Sequence, residues 1–193
     1  SIIRSYRIHL MSLNRSRTTI IWYISLIRKF FRFMIDQGIR NVSDVDELLI
    51  LQYQHYITTL RTERGYPYSV GVKNLHLIVL KNLFRYLLRI GEIQKNPTLT
   101  IELAKEPRRL PVNILTEKEM RVILEQPDVS SNRGLRDRAM MEVLYASGIR
   151  RSELLGLNIT EMCFETNTLT IRQGKGSRDR VVPMGSVAKK YLL

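Results

Sequence analysis

Apolar positions in the first ninety residues recur every three or four places. In TTIIWYISLIRKFFRFMI, residues 18–35, Ile20, Ile24, Ile27, Phe31 and Met34 share one face at helical spacing. Ser16 or Thr18 stands where a cap belongs, and Gly38 follows the end. VSDVDELLILQYQHYITTLRTE, residues 42–63, repeats the design, with Ser43 or Asp44 as its cap. After the turn cluster RGYPYS, a third long helix is predicted over residues 70–90, ended by Gly91. A shorter helix is expected near residues 2–12. Phe30, Phe31 and Phe84 follow the apolar spacing and are expected in the core, not as base-stacking platforms.

The pattern breaks at residues 96–113, NPTLTIELAKEPRRLPVN. Pro97, Pro107 and Pro111 block helix continuation and favour extended backbone, so the stretch reads as an interdomain linker. Helical spacing resumes with Thr116 and Glu119 in capping-box register. A helix over residues 130–148 ends at Gly148, and RRSELLGL forms a short one. EMCFETNTLTIRQGKGSRDRVVPMG then turns to β-rich runs broken by ETN and GKGS, which predicts two or three antiparallel strands. SVAKKYLL begins a last helix. The expected fold class is therefore mainly α with a small antiparallel β-sheet. The expected domains are a helical one over residues 1–104, a linker at 105–115 and an α+β one over 116–193. The last is expected to be incomplete, because a domain rarely stops in the opening turns of a helix.

Charge narrows the partner. Lys and Arg number 31 against 18 Asp and Glu, a formal net charge of +13. The excess is spread: 15 basic against 7 acidic residues up to Ala104, and 16 against 11 beyond. Such a balance favours a polyanion, nucleic acid first and an anionic membrane second. The membrane reading is weaker, since no polybasic block flanks an amphipathic terminal helix. No stretch reaches the roughly 18 consecutive apolar residues of a membrane span, and SIIRSYRIHL lacks the pattern of a secretory signal, so a cytoplasmic protein is expected. Cys163 is the single cysteine, which excludes an intrachain disulfide and a cysteine-based zinc site. Between Met162 and Phe164 it is expected to be a small buried hydrophobe.

Two short stretches carry candidate chemistry: GIRRSELLGL at residues 148–157 and GKGSRDR at 174–180. A guanidinium is planar, permanently charged and grips two phosphate oxygens at once. It can neutralise a phosphodiester and stabilise the added charge of a pentacoordinate transition state. A lysine on a glycine-flanked hairpin tip can reach a leaving oxygen and donate a proton. Taken singly, GKGSRDR reads as a solvated β-turn and RRSE as an exposed helix start with an ion pair.

Taken together and in order, the motifs say more. Gly-Ile-Arg-x-Ser-Glu-Leu, then a hairpin bearing Gly-Lys-Gly-x-x-x-Arg and Val-Pro, resembles the tyrosine recombinases, or phage integrase family, especially its Xer-like branch. DRAMMEVLYASGIR resembles the helix leading to that family's first catalytic arginine, and LPVNILTEKEM the entry to its catalytic domain. Thr19 and Tyr23 with Arg28, Phe30 and Phe31, and later KNLFRYLLRIGEIQKNP, resemble its helical core-binding domain. The resemblance implies that Arg150 binds the scissile phosphate, Glu153 steadies the site and Lys175 protonates the leaving 5′ oxygen. It implies strand cleavage through a 3′-phosphotyrosyl bond, with no metal or nucleotide cofactor. It also implies two domains clamping duplex DNA. The expected DNA contacts are Arg15, Arg17, Lys73 and Asn74 in the helical half, Arg108 and Arg109 in the linker, and Arg151 and Arg178 beyond it.

The family's His-x-x-Arg run and downstream nucleophilic Tyr find no match. His9, His55 and His76 all lie in the helical half, and none is followed by Arg three places on. Tyr191 precedes where the missing motif would fall and is expected to be a core or interface residue. The resemblance thus implies a chain that binds duplex DNA without cutting it, a monomer alone, and a homotetramer on DNA for the intact protein. A naturally short, non-catalytic DNA-binding relative is the alternative. An RNA-binding basic protein would explain the charge and leave the two motifs unexplained.

Overall fold

The computed structural model describes residues 1–107, 114–172 and 179–193. The chain divides into two compact units, residues 1–109 and 110–193.

The first unit is four helices: α1 (Ile2–Ser12), α2 (Arg17–Asp36), α3 (Glu47–Thr59) and α4 (Val70–Arg89). Each of the last three starts on an oxygen that accepts an otherwise orphaned backbone N–H. Ser16 takes Thr19 at 3.2 Å, Asp46 takes Leu49 at 2.8 Å and Ser69 takes Val72 at 3.3 Å. The apolar stripes meet in one core centred on Ile27, Phe30, Tyr53, Leu83 and Phe84, with Phe31 packed against it. Phe30 meets Tyr53 and Phe84 edge-on, with ring centroids 5.0 and 5.9 Å apart, the arrangement the aromatic quadrupole favours.

Two sequence expectations shift here. The helix expected over residues 42–63 is shorter: residues 42–44 form a separate 3-10 turn, and Asp46, not Ser43 or Asp44, is the cap. It stops at Thr59 because Leu60 is extended and Arg61 pairs with Pro67 across a turn. The stretch from residue 96 is also not free linker from its start. Asn96, Thr98 and Ile101 are buried in the first unit. The Lys81 ammonium donates to the Ile101 carbonyl at 3.0 Å, and the Asn74 amide holds Ala104. Proline stops a helix, but it does not prevent extended backbone from docking when side chains satisfy its carbonyls.

The second unit holds α5 (Glu117–Leu124), α6 (Asn132–Ser147), α7 (Arg151–Leu155), β1 (Met162–Cys163), β2 (Thr168–Ile171), β3 (Arg180–Pro183) and α8 (Ser186–Leu192). The capping box at Thr116 and Glu119 is formed in full. The strands make one antiparallel sheet in the order β1-β2-β3, with Met162 opposite Leu169 and Ile171 opposite Arg180. Leu169 and Ile171 alternate inward to meet Val143, Ile149, Met184 and Ala188. Cys163 is exposed, contrary to expectation. Its neighbours Met162 and Phe164 turn toward the core, and strand alternation sends Cys163 to the other face.

α8 is fastened to this unit at three points. Ala188 is buried, the Lys189 ammonium donates to the Phe164 carbonyl at 2.6 Å, and the Arg138 guanidinium lies 4.9 Å from the Tyr191 ring centroid.

Candidate functional site

α6 ends on Gly148, whose φ of +62° puts it in the left-handed region that favours glycine. The turn brings Ile149 into the core as an anchor, and the chain leaves the interior at Arg150. Arg150 is extended and occupies the cap position of α7, so its side chain stands at the mouth of the helix.

Glu153, in the first turn of α7, gathers the polar groups of this corner. Its carboxylate accepts the Arg150 backbone N–H at 2.8 Å and the Arg150 Nη1 at 2.9 Å. It also accepts two parallel bonds from Arg180, Nη1 at 3.0 Å and Nη2 at 2.6 Å. That fork geometry is the strongest pairing a carboxylate makes with a side chain. The Glu153 side chain is 8% exposed, against 52% for Arg150. The Arg180 pair and then the Arg150 backbone N–H pull the Glu153 carboxyl down to about 2, so it stays ionised at any physiological pH. Glu153 in turn pushes Arg180 upward.

Arg150 is thus held by one guanidinium nitrogen. Among the described residues, its other nitrogens have no protein partner, and half the side chain faces solvent. A guanidinium held at one nitrogen can receive an oxyanion on the others. Arg151, one place on, is exposed at the first position of α7.

The structure joins Arg150 to Glu153, as two sequence candidates, and adds Arg180, which the sequence reading left in its motif without a role. The signal lay in the spacing: an arginine at the foot of the hairpin, pairing across the sheet with Ile171. Lys175, Arg178, Arg108 and Arg109 lie outside the described residues.

The first unit carries the other candidates. Arg15 and Arg17 are exposed on either side of the Ser16 cap, and Lys73 is half-buried in the first turn of α4. Asn74 is buried, and its amide is taken up by Ala104 and by the Glu106 carboxylate. Its amide is thus engaged inside the unit. Arg15 also lines a groove with Tyr6, His9, Arg85, Tyr86 and Arg89, a lining without a carboxylate. In this unit the only ion pair among the described residues is Lys95 with Glu47 at 3.6 Å, so most of its described cations have no carboxylate within ion-pair distance. His9 stacks on Tyr86 at 4.6 Å, and His76 is buried against Tyr53.

Comparison with known proteins fixes the lineage. Residues 113–192 match the Phage integrase family, a span that contains Arg150, Glu153 and Arg180. A tyrosine recombinase XerC 2 of Ralstonia nicotianae is 37% identical over 166 residues, covering 86% of this chain and 48% of that one. Tyrosine recombinase XerC of Pelobacter propionicus is 35% identical over 193 residues, covering 98% and 61%. Residues 113–192 belong to the phage integrase family, and the chain as a whole is similar to Xer tyrosine recombinases. It spans about half to three-fifths of the length of these relatives. Two solved members share the fold: a lambda integrase tetramer bound to a Holliday junction (TM-score 0.69, 21% identity, 99% of this chain and 54% of that one). The second is the Tn1549 transposon integrase in complex with a circular intermediate DNA (TM-score 0.69, 18% identity, 99% and 63%).

Proposed function

We propose that the chain is the DNA-gripping part of a site-specific tyrosine recombinase. In the whole protein a tyrosine hydroxyl attacks the scissile phosphorus and forms a 3′-phosphotyrosyl bond. The 5′ oxygen leaves with a proton, for which Lys175 is the donor. A 5′ hydroxyl from a partner strand then reverses the step, so bond energy is conserved and no nucleotide cofactor is consumed. Arg150 holds the phosphate and stabilises its developing charge, and Glu153 fixes Arg150. The observation that carries this reading is Arg150 itself. It occupies the family's motif position, is pinned through one nitrogen, and turns its remaining donors outward.

The 193 residues alone bind duplex DNA as a monomer and do not cut it. Arg15, Arg17 and Lys73 on the first unit and Arg151 on the second meet backbone phosphates, as do Arg108, Arg109 and Arg178. Four protomers assemble on DNA in the intact protein, which works in the cytoplasm.

The test is equilibrium binding to duplex DNA across a salt series. Counterion release predicts a log–log slope of about −0.9 for each phosphate neutralised. Arg150→Ala is expected to weaken binding and make the slope shallower by about one such step. Equal or tighter binding to RNA at raised salt, or a covalent DNA adduct on Tyr191, overturns the proposal.

A further inference from the structure

We infer that Arg180 is a positioning residue that keeps the Arg150 guanidinium available to a phosphate by occupying the Glu153 carboxylate. The inference rests on the reading of Arg150 as the phosphate ligand.

The argument is one of competition. Glu153 is a nearly buried carboxylate with two arginines in reach among the described residues. A buried carboxylate is costly unless its oxygens are satisfied, and it draws in whatever cation is nearest. With Arg180 present, both oxygens are already engaged by the parallel fork at 2.6 and 3.0 Å. Arg150 adds its backbone N–H and a single side-chain nitrogen. Remove Arg180, and among the described residues the lone pairs it filled have the Arg150 guanidinium left to meet. Arg150 would then turn its own fork inward and bind Glu153 through two nitrogens. The donors that now face solvent would be consumed.

The direction of the devices agrees. Arg180 comes from the sheet, 27 residues along the chain from Glu153, and opens β3 opposite Ile171, whose side chain is in the core. Its backbone is therefore fixed independently of α7. Arg150 sits on an exposed cap and reaches Glu153 through a single side-chain nitrogen. The arginine based on the sheet takes the acid and leaves the more exposed one for the ligand. Arg180 itself is about one-third exposed, less than Arg150.

The experiment uses the full chain and four variants: Arg150→Ala, Arg180→Met, Glu153→Gln and the double variant Arg180→Met with Glu153→Gln. Far-ultraviolet circular dichroism checks that each folds. Duplex DNA affinity is read by anisotropy. Arg180→Met is expected to weaken binding about tenfold, as much as Arg150→Ala, the worth of one charge-assisted contact. Adding Glu153→Gln is expected to restore most of that loss, because a neutral amide no longer captures Arg150. Neither a direct Arg180–phosphate contact nor a general structural role would be rescued by removing the acid. A double variant as weak as Arg180→Met, or an Arg180→Met that binds like the parent while Arg150→Ala does not, overturns the inference.

A second readout needs no DNA. Hydrogen exchange of the Arg150 guanidinium protons is expected to slow in Arg180→Met and return to the parent rate in the double variant. Unchanged exchange in Arg180→Met counts against the capture. If exchange behaves as expected but Arg150→Ala leaves DNA affinity intact, then the assignment of Arg150 to phosphate fails and the competition for Glu153 stands.

Discussion

Asn74 holds Ala104 at two points: its amide nitrogen donates to the Ala104 carbonyl at 2.8 Å, and its amide oxygen accepts the Ala104 N–H at 3.1 Å. The pair mimics one rung of a β-ladder with a side chain as one partner. It ties the extended segment after α4 to the helix bundle.

Asn74→Ala is expected to cost about 2 kcal/mol, the net worth of two hydrogen bonds with one orphaned backbone pair. Amide exchange at Ala104 should accelerate well beyond that of the α4 core. Unchanged protection there would mean that packing of Ile101, and not the amide, retains the segment.

Arg138 and Glu142 form a nearly buried pair one turn apart on α6, 2.7 Å at closest approach. Removing one partner strands the other, so Glu142→Ala should destabilise the second unit by about 3–5 kcal/mol. Replacing both with apolar residues of similar size should cost far less. Chemical denaturation of the two variants checks the difference, and equal losses would refute it.

His76 sets an acid limit on the first unit. Burial, and then the positive Lys29 nearby, lowers its pKa from 6.5 to about 4. Its Nδ1 meets the Tyr53 hydroxyl at 2.8 Å, and its Nε2 has no partner among the described residues. The unfolded chain therefore binds a proton that the folded unit rejects. Stability is complete above about pH 6.5 and falls as pH drops toward 4. Glu153 adds a lower window in the second unit, lost between its ordinary value of 4.5 and about 2. Urea midpoints followed by Trp22, the single tryptophan and a residue of α2, should fall across the first window. His76→Gln should flatten that fall.

Gly134, in the first turn of α6, has no room for a side chain. A Cβ there would lie 1.9 Å from the Asp128 carbonyl oxygen, which is backbone and cannot swing away. Gly134→Ala should displace the turn that Ser131 caps and lower the melting temperature by more than Gly156→Ala, whose Cβ meets nothing closer than 3.6 Å. Parity between the two alanine variants would show that the turn yields freely.

Local signals were legible in the sequence. The Ser16 cap, the Thr116–Glu119 box, the glycine ends of α4 and α6 and the apolar stripes each depend on residues a turn or two apart. What was not legible depends on distant partners or on too short a run. The partner of Asn74 is 30 residues away, so nothing near it in the sequence marks its amide as engaged inside the unit. Arg180 meets Glu153 from 27 residues away, and nothing local distinguishes it from Arg178 beside it in GKGSRDR. Cys163 sits on a strand of two residues, too short to show a period.

The carboxylate that holds the Arg150 side chain also closes the first turn of α7, through the backbone N–H of the same residue. Side-chain placement and helix initiation are therefore one event. A fluctuation that releases Arg150 from Glu153 tends to fray the helix start as well, and a wound start brings the guanidinium back. This corner of the molecule behaves less like a flexible arm than like a latch. Its accuracy is inherited from secondary structure instead of from the tightness of the surrounding core.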